Sequence, residues 1–187
     1  ERRALRETCA AFDLSSFGRI TVQGKGAESL IGRVIRPTSA PAEDRWLQAT
    51  AVNTYDEAVG PVRVSQSKDV FTLHTLPSDR QAVLAACEAH SKSTDVERVK
   101  IADVTEKTGM LALYGPTAFE SMEKIVPLDI SDPTPGTGKR FSFFLLHVTV
   151  LRGSWVGTDG LELMGPASAA SMAAGAVSKY RDRYEIT

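Results

Sequence analysis

The stretch with the clearest chemical potential is LRGSWVGTDGLELMG, residues 151 to 165. One carboxylate, Glu162, stands there between Leu161 and Leu163, behind a cation (Arg152), a large aromatic (Trp155) and the turn Gly157-Thr158-Asp159-Gly160. Strand alternation sends the two leucines to one face and Glu162 to the other, so Glu162 is either solvated or lines a cavity. In a cavity, a carboxylate accepts two N–H donors of a planar ligand while an aromatic such as Trp155 packs on the ring.

Other chemistries find less support. PTPGTGKR (133 to 140) suggests a phosphate loop, but Pro133 stands where its first glycine belongs, Arg140 replaces the magnesium-binding hydroxyl, and a strand follows where the motif needs a helix. His74, His90 and His147 have no partner at metal-ligand spacing, which assigns them satisfied structural roles and no metal. Cys9 and Cys87 read as two reduced buried thiols, consistent with a cytoplasmic protein. Twenty-two basic against twenty-three acidic residues leave a net charge of -1, without the basic excess of a nucleic-acid binder. The most apolar run, FFLLHVTVL (143 to 151), is far shorter than the ~20 residues of a spanning helix, and no membrane partner is expected. The chain opens without Met and stops as a new extended segment starts, as a piece of a longer protein would.

The elements that must position Glu162 come from an internal duplication. At an offset of about 91, GRITVQGKGAESLIGRV (18 to 34) lies on GMLALYGPTAFESMEKI (109 to 125), matching Gly24 with Gly115, Ala27 with Ala118, Ile31 with Met122 and Val34 with Ile125. Each copy reads as strand, glycine, helix, with Pro116 placed for a first helical turn. Breaker-rich linkers follow at 36 to 44 and 131 to 139. Then DVFTLHTLPSDRQAVLAACEAH (69 to 90) matches DGLELMGPASAASMAAGAVSKY (159 to 180), again strand then helix, with Ser78 and Gln81 at capping-box spacing. Between the copies, VERVKIADVT (96 to 105) reads as a linking strand. The expected fold is α+β: duplicated subdomains of mainly antiparallel sheet, each with two helices on one face. The repeats span approximately 12–90 and 105–187, intertwined as a single unit.

Three motifs carry a family resemblance. CAAFDLSSFGRITVQGKGAESLI (9 to 31) resembles the start of the glycine cleavage T-protein, the tetrahydrofolate-dependent aminomethyltransferase. LALYGPTAFESMEKI is similar to its LALQGP segment, and VLRGSWVGTDGLELMGPASAASM to its RTGYTGEDGFEIYVP segment, in the family's order and nearly along the whole chain. The resemblance implies a folate-binding fold of two related subdomains that exchange their first strands, with tetrahydrofolate as cofactor. It implies that Glu162 bonds the pterin ring, that Arg152 and Gly157 match fixed residues of the motif, and that Trp155 replaces its tyrosine. Asn53 matches the asparagine before the family's catalytic hairpin. Phe17 and Tyr114 replace the usual methionine and glutamine, and Ser16 replaces a histidine. The implied cofactor-binding set is therefore Glu162, Arg152, Trp155, Asn53, Tyr114 and Phe17.

That hairpin runs roughly TNEAGGILDDLIV in the family, where an aspartate assists transfer of the one-carbon unit. Here VNTYDEAVGPVRV (52 to 64) puts Gly60 and Pro61 where the paired aspartates belong. Asp56 and Glu57 are the remaining catalytic candidates, and they serve only if the hairpin slips its register. The family's C-terminal β-rich domain has no counterpart in these residues. The implied function is folate-binding, aminomethyltransferase-like one-carbon transfer with a lipoyl carrier protein as partner. The alternative is a non-catalytic folate-binding or interaction module, like an iron–sulfur assembly factor or an amine-oxidase subunit with an oxidase partner. A degenerate scaffold without ligand is the third reading.

Overall fold

The structure is a computed structural model of the chain and describes residues 3–92, 96–125, 134–143 and 146–187. The start of the second linker (131–133), with the first residue of PTPGTGKR, and two residues of the apolar run (144–145) lie outside the described residues.

In chain order the elements are α1 (Ala4–Glu7), β1 (Ala10–Asp13), β2 (Gly18–Gln23), α2 (Ala27–Val34), β3 (Ile35–Arg36), β4 (Trp46–Val52), β5 (Ala58–Ser67), β6 (Val70–Thr75), α3 (Arg80–Ser91) and β7 (Lys100–Asp103). A short 3-10 turn leads to β8 (Thr108–Tyr114), α4 (Ala118–Ile125), β9 (Gly138–Phe143), β10 (Leu146–Arg152), β11 (Gly160–Pro166) and α5 (Ala167–Tyr180). They fall into two compact units, Ser16–Thr105, and Glu1–Ser15 with Glu106–Thr187.

The unit Ser16–Thr105 holds a six-stranded sheet of order β3-β4-β5-β6-β2-β7, every neighbour antiparallel. Its apolar alternates, Ile20, Val22, Val62, Val64 and Leu73, share one core with Leu30, Ile31 and Val34 of α2 and with Val83 and Cys87 of α3. The α2 residues recur three and four apart, which gathers them on one face of the helix. The expected capping box at the start of α3 does not form: Asp79 takes the cap position without a side-chain bond, and Ser78 Oγ donates to Asp79 Oδ1 at 2.8 Å. The helix begins one residue too late for Ser78 to reach its first turn. Of the expected linking strand 96 to 105, four residues pair, Lys100–Asp103.

The second unit holds a five-stranded antiparallel sheet of order β1-β8-β11-β10-β9. Leu111, Leu113, Val148, Val150, Leu161 and Leu163 form its core with Met122 and Ile125 of α4 and Val177 of α5. Pro116 sits in the turn before α4 and not in its first turn. The fold is thus α+β with two helices over one face of each sheet. Strand β1 precedes β2 in the chain yet pairs with β8, while β7 precedes β8 yet pairs with β2.

The two strand-to-helix junctions repeat in detail. Gly24 has φ +117° and Gly115 φ +131°, where a β-carbon is strained. A β-carbon would stand 2.6 Å from the Arg98 carbonyl oxygen at Gly24 and would collide with the Thr8 carbonyl at Gly115. Gly24→Ala and Gly115→Ala are therefore each expected to lose more than about 1 kcal/mol in denaturant unfolding. Gly175 lies inside α5 with open space around its α-carbon, and Gly175→Ala is expected to gain about 0.5 to 1 kcal/mol. Equal effects at all three positions would contradict this assignment.

Candidate functional site

Register places the chemistry of the second unit. Leu161 and Leu163 face the helices, so Glu162, opposite Ala112 and Leu151, projects from the other face. Solvation of Glu162, one of the two readings of its strand pattern, is ruled out by its burial: it is 0% exposed. Tyr114 Oη donates to Glu162 Oε1 at 2.5 Å, a hydrogen bond between two buried groups. The Tyr114 ring packs on Phe12, centroids 5.4 Å apart, and its strand neighbours are Ala10 and Gly160. A β-carbon at Gly160 would stand 2.6 Å from Tyr114 Cδ1, so the ring occupies the space that this glycine leaves. Phe12, Ala112, Glu162 and Leu151 form one row across the sheet, with Ala112 on one side of the carboxylate and Leu151 on the other.

Arg152 goes elsewhere. It pairs in register with Leu161 and shares the helix-covered face. Its Nη2 donates to Asp159 Oδ2 at 2.7 Å, and its guanidinium carbon lies 5.7 Å from the Phe119 ring centroid. The hydrogen bond from Arg152 is the leading cause that holds the Asp159 carboxyl below its ordinary range. Arg152 thereby closes the base of the 153–160 loop, where Ser154 Oγ donates to the Thr158 carbonyl and Gly157 takes φ +78°. Trp155 sits half-buried in that loop.

In the other unit the hairpin residues fold on themselves. Asn53 Oδ1 accepts from the backbone N–H of Tyr55 and Glu57 (2.9 and 3.0 Å), and its Nδ2 donates to Glu57 Oε2 at 2.8 Å. Asp56 turns the chain at φ +66° and pairs with Arg36 at 2.5 Å. Asp56 and Glu57 are both exposed on the hairpin tip. The ladder does shift by one residue: Ala51 opposes Gly60 while Val52 opposes Ala58, so Val59 bulges. At Gly60 a β-carbon would stand 2.5 Å from Asp79 Oδ2, so a side chain there meets a carboxylate already in place. Phe17 is half-buried, and its carbonyl accepts from Arg19 Nη1 at 2.7 Å.

Sequence reasoning missed a buried polar row on the helix-free face of this sheet. His74 of β6 stands opposite Arg19 of β2 and Arg63 of β5, and all three are at most 1% exposed. Arg19 Nη2 donates to the Thr105 carbonyl at 2.7 Å, Arg63 lies 4.9 Å from the Trp46 ring centroid, and His74 Nε2 meets Ser65 Oγ at 3.1 Å. The expected structural role for His74 is met on one side only, since its buried Nδ1 has no hydrogen-bond partner. The signal was alternation itself: GRITV, PVRVS and FTLHT each set a basic residue next to the core alternates Ile20, Val62 and Val64, and Leu73. Cys9 and Cys87 are free and buried, and burial pushes the Cys87 thiol up to about 12. Among the described residues no group of His, Cys, Asp and Glu could hold a metal, and no helix is long and apolar enough to cross a membrane.

With this geometry the relationships become informative. The family model described as GCVT N-terminal domain matches residues 1–187. The chain belongs to that family. Among curated relatives, an aminomethyltransferase of Rubrobacter xylanophilus is 30% identical over 179 residues, covering 92% of this chain and 46% of that protein. A probable aminomethyltransferase of Aeropyrum pernix is 28% identical, covering 91% and 46%. The glycine cleavage system aminomethyltransferase T of Bartonella henselae matches in structure with a TM-score of 0.84 at 17% identity, over 99% of this chain and 48% of that one. A chain of the heterotetrameric sarcosine oxidase of a Corynebacterium matches with a TM-score of 0.64 at 16% identity, over 92% and 85%. At these identities the two structures show the shared fold. The chain spans about half the length of the curated relatives it matches.

The buried row also sets a pH dependence. Burial, then the charges of Arg63 and Arg19, lower His74 from 6.5 to about 3. Between those values the unfolded chain binds a proton that the folded chain refuses, so stability is full above about 6.5 and falls as pH drops toward 3. Going from pH 7 to pH 5.5 is expected to cost the wild type about 1 kcal/mol more than it costs His74→Gln in denaturant titrations. Parallel losses in the two proteins would show that His74 is not held neutral.

Proposed function

We propose that this chain binds a reduced folate and supplies the folate-binding part of an aminomethyltransferase-type one-carbon transfer. The observation that carries this reading is Glu162, a fully buried carboxylate fixed by Tyr114 on a row with Phe12 and Ala112. A buried carboxylate costs several kcal/mol to desolvate unless it is matched by donors. A tetrahydrofolate pterin presents such donors along one flat edge, which suits a carboxylate beside aromatic rings. The residues present therefore fit the group.

When bound, the folate supplies N5 as the atom that carries the one-carbon unit. Glu162 accepts from the pterin N–H edge and orients the ring. Phe12 and Tyr114 limit water around that carboxylate and strengthen the bond. Arg152 holds the 153–160 loop, and with it Trp155, through Asp159 and Phe119. Positioning then supplies the rate, with a lipoyl carrier protein as the partner that presents the aminomethyl group. Asp56 and Glu57 remain the carboxylates of the hairpin, one occupied by Arg36 and the other by Asn53.

A second reading, a non-catalytic folate-binding or interaction module, is favoured by Gly60. The position where the family resemblance calls for an aspartate has no side chain, and Asp79 stands where its β-carbon would point. Under this reading the partner is an oxidase subunit, in keeping with the structural likeness to a chain of a heterotetrameric sarcosine oxidase.

Titration with 5-formyltetrahydrofolate, followed by tryptophan fluorescence and heat, tests the binding claim common to both. Saturable binding is expected, weakened about tenfold or more in Glu162→Gln, which corresponds to about 1.5 to 3 kcal/mol for a lost charge-assisted acceptor. No binding at millimolar folate would remove the ligand. Turnover of an aminomethylated lipoyl carrier would then separate the enzyme from the module.

A further inference from the structure

The residues that hold Tyr114 leave it little freedom. Its ring lies against Phe12 at 5.4 Å with the planes at 35°, over the strand position where Gly160 provides room. Tyr114 is 2% exposed and Glu162 is 0% exposed. Their 2.5 Å bond joins adjacent strands β8 and β11, two elements whose register is fixed over seven residue pairs. The hydroxyl is therefore pointed at Oε1 by packing that would exist without Glu162.

We infer that Tyr114 is a positioning residue that acts through Glu162: it locks the carboxylate plane and sets how an N–H donor edge is read, without touching the ligand itself. This rests on the folate reading and changes one expectation of it. A carboxylate rotating freely can turn both oxygens toward a donor pair. With Oε1 held by a phenol O–H, the plane of the carboxylate is set before any ligand arrives, and only donor edges that meet that plane are accepted. The device selects for orientation, and preorganisation of this kind lowers the ordering cost of binding. Gly160 adjoins it: a β-carbon there would stand 2.6 Å from Tyr114 Cδ1 and 2.6 Å from the Leu113 carbonyl oxygen, so both the ring and the backbone of β8 require a glycine at this position.

A double-mutant cycle tests this. Affinity for 5-formyltetrahydrofolate and ligand-free unfolding would be measured on the wild type, Tyr114→Phe, Glu162→Ala and the double variant. Tyr114→Phe keeps the ring and removes only the donor. Binding is expected to weaken roughly fivefold or more in Tyr114→Phe, and by less than about twofold when the same change is made on Glu162→Ala. Equal losses in both backgrounds would overturn the inference, because Tyr114 would then contact the ligand or merely support packing. Should Glu162→Ala bind too weakly to follow, the binding comparison is made on Glu162→Gln, where the loss caused by Tyr114→Phe is expected to shrink and an undiminished loss overturns the inference; strict additivity in unfolding overturns it as well. Failure of the folate reading looks different, since the wild type itself would bind no folate while the coupling in ligand-free unfolding persisted.

Discussion

A sheet can hide only one of its faces under its own helices, and each unit of this protein is built around that constraint. In both, the apolar alternates of the strands go to the helix side, where Ile20, Val22, Val62 and Leu73 in one unit, and Leu111, Leu113, Leu161 and Leu163 in the other, form cores with two helices each. Period-two geometry then sends every intervening residue to the opposite face. Among those residues are Arg19, Arg63 and His74 in one unit and Tyr114 and Glu162 in the other, and these five are buried. Burying such groups is costly, which is why they lie where hydrogen bonds, an indole ring or a phenol meet them. The chemistry of the chain is what its core geometry leaves over.

The exchange of strands adds a second constraint. The chain passes from one unit to the other between Ser15 and Ser16 and returns between Thr105 and Glu106. Arg19 pins both crossings on its own side, because its guanidinium donates to the carbonyls of Phe17 and Thr105 while its backbone N–H donates to Thr105 Oγ1. The planar fork of arginine presents separate N–H donors, Nη1 and Nη2, to the two carbonyls in a fixed geometry that the single ammonium of lysine lacks. Thr105 would have no such role in a chain whose repeats were separate beads.

Much of this was legible in the sequence because it is periodic. The duplication placed α2 and α4 at the same offset, and both helices run eight residues with apolar positions in the same phase. The glycines that match across it take the positive φ that only glycine adopts readily. The opposed faces of Glu162 and its leucines followed from alternation. What was not legible depends on contacts distant in sequence. Nothing local indicates that Tyr114 meets Glu162, 48 residues away, or that Arg152, one register step from the carboxylate row, serves the other face. The capping box failed because spacing cannot fix where a helix starts when Asp79, an equally good cap residue, stands one position on. The polar row of Arg19, Arg63 and His74 was in plain alternation, but each residue has a bland reading alone and only register joins the three.

The proposed folate site requires that the buried carboxylate of Glu162 face a ligand's N–H edge. The most direct measurement is a crystal structure of the chain grown with 5-formyltetrahydrofolate at saturating concentration. The expected result is the pterin with its donor edge within hydrogen-bonding distance of Glu162 and Tyr114 still on Oε1. A folate bound elsewhere, with the Glu162 side chain meeting only protein groups, would contradict the claim and make the carboxylate a structural element of the sheet.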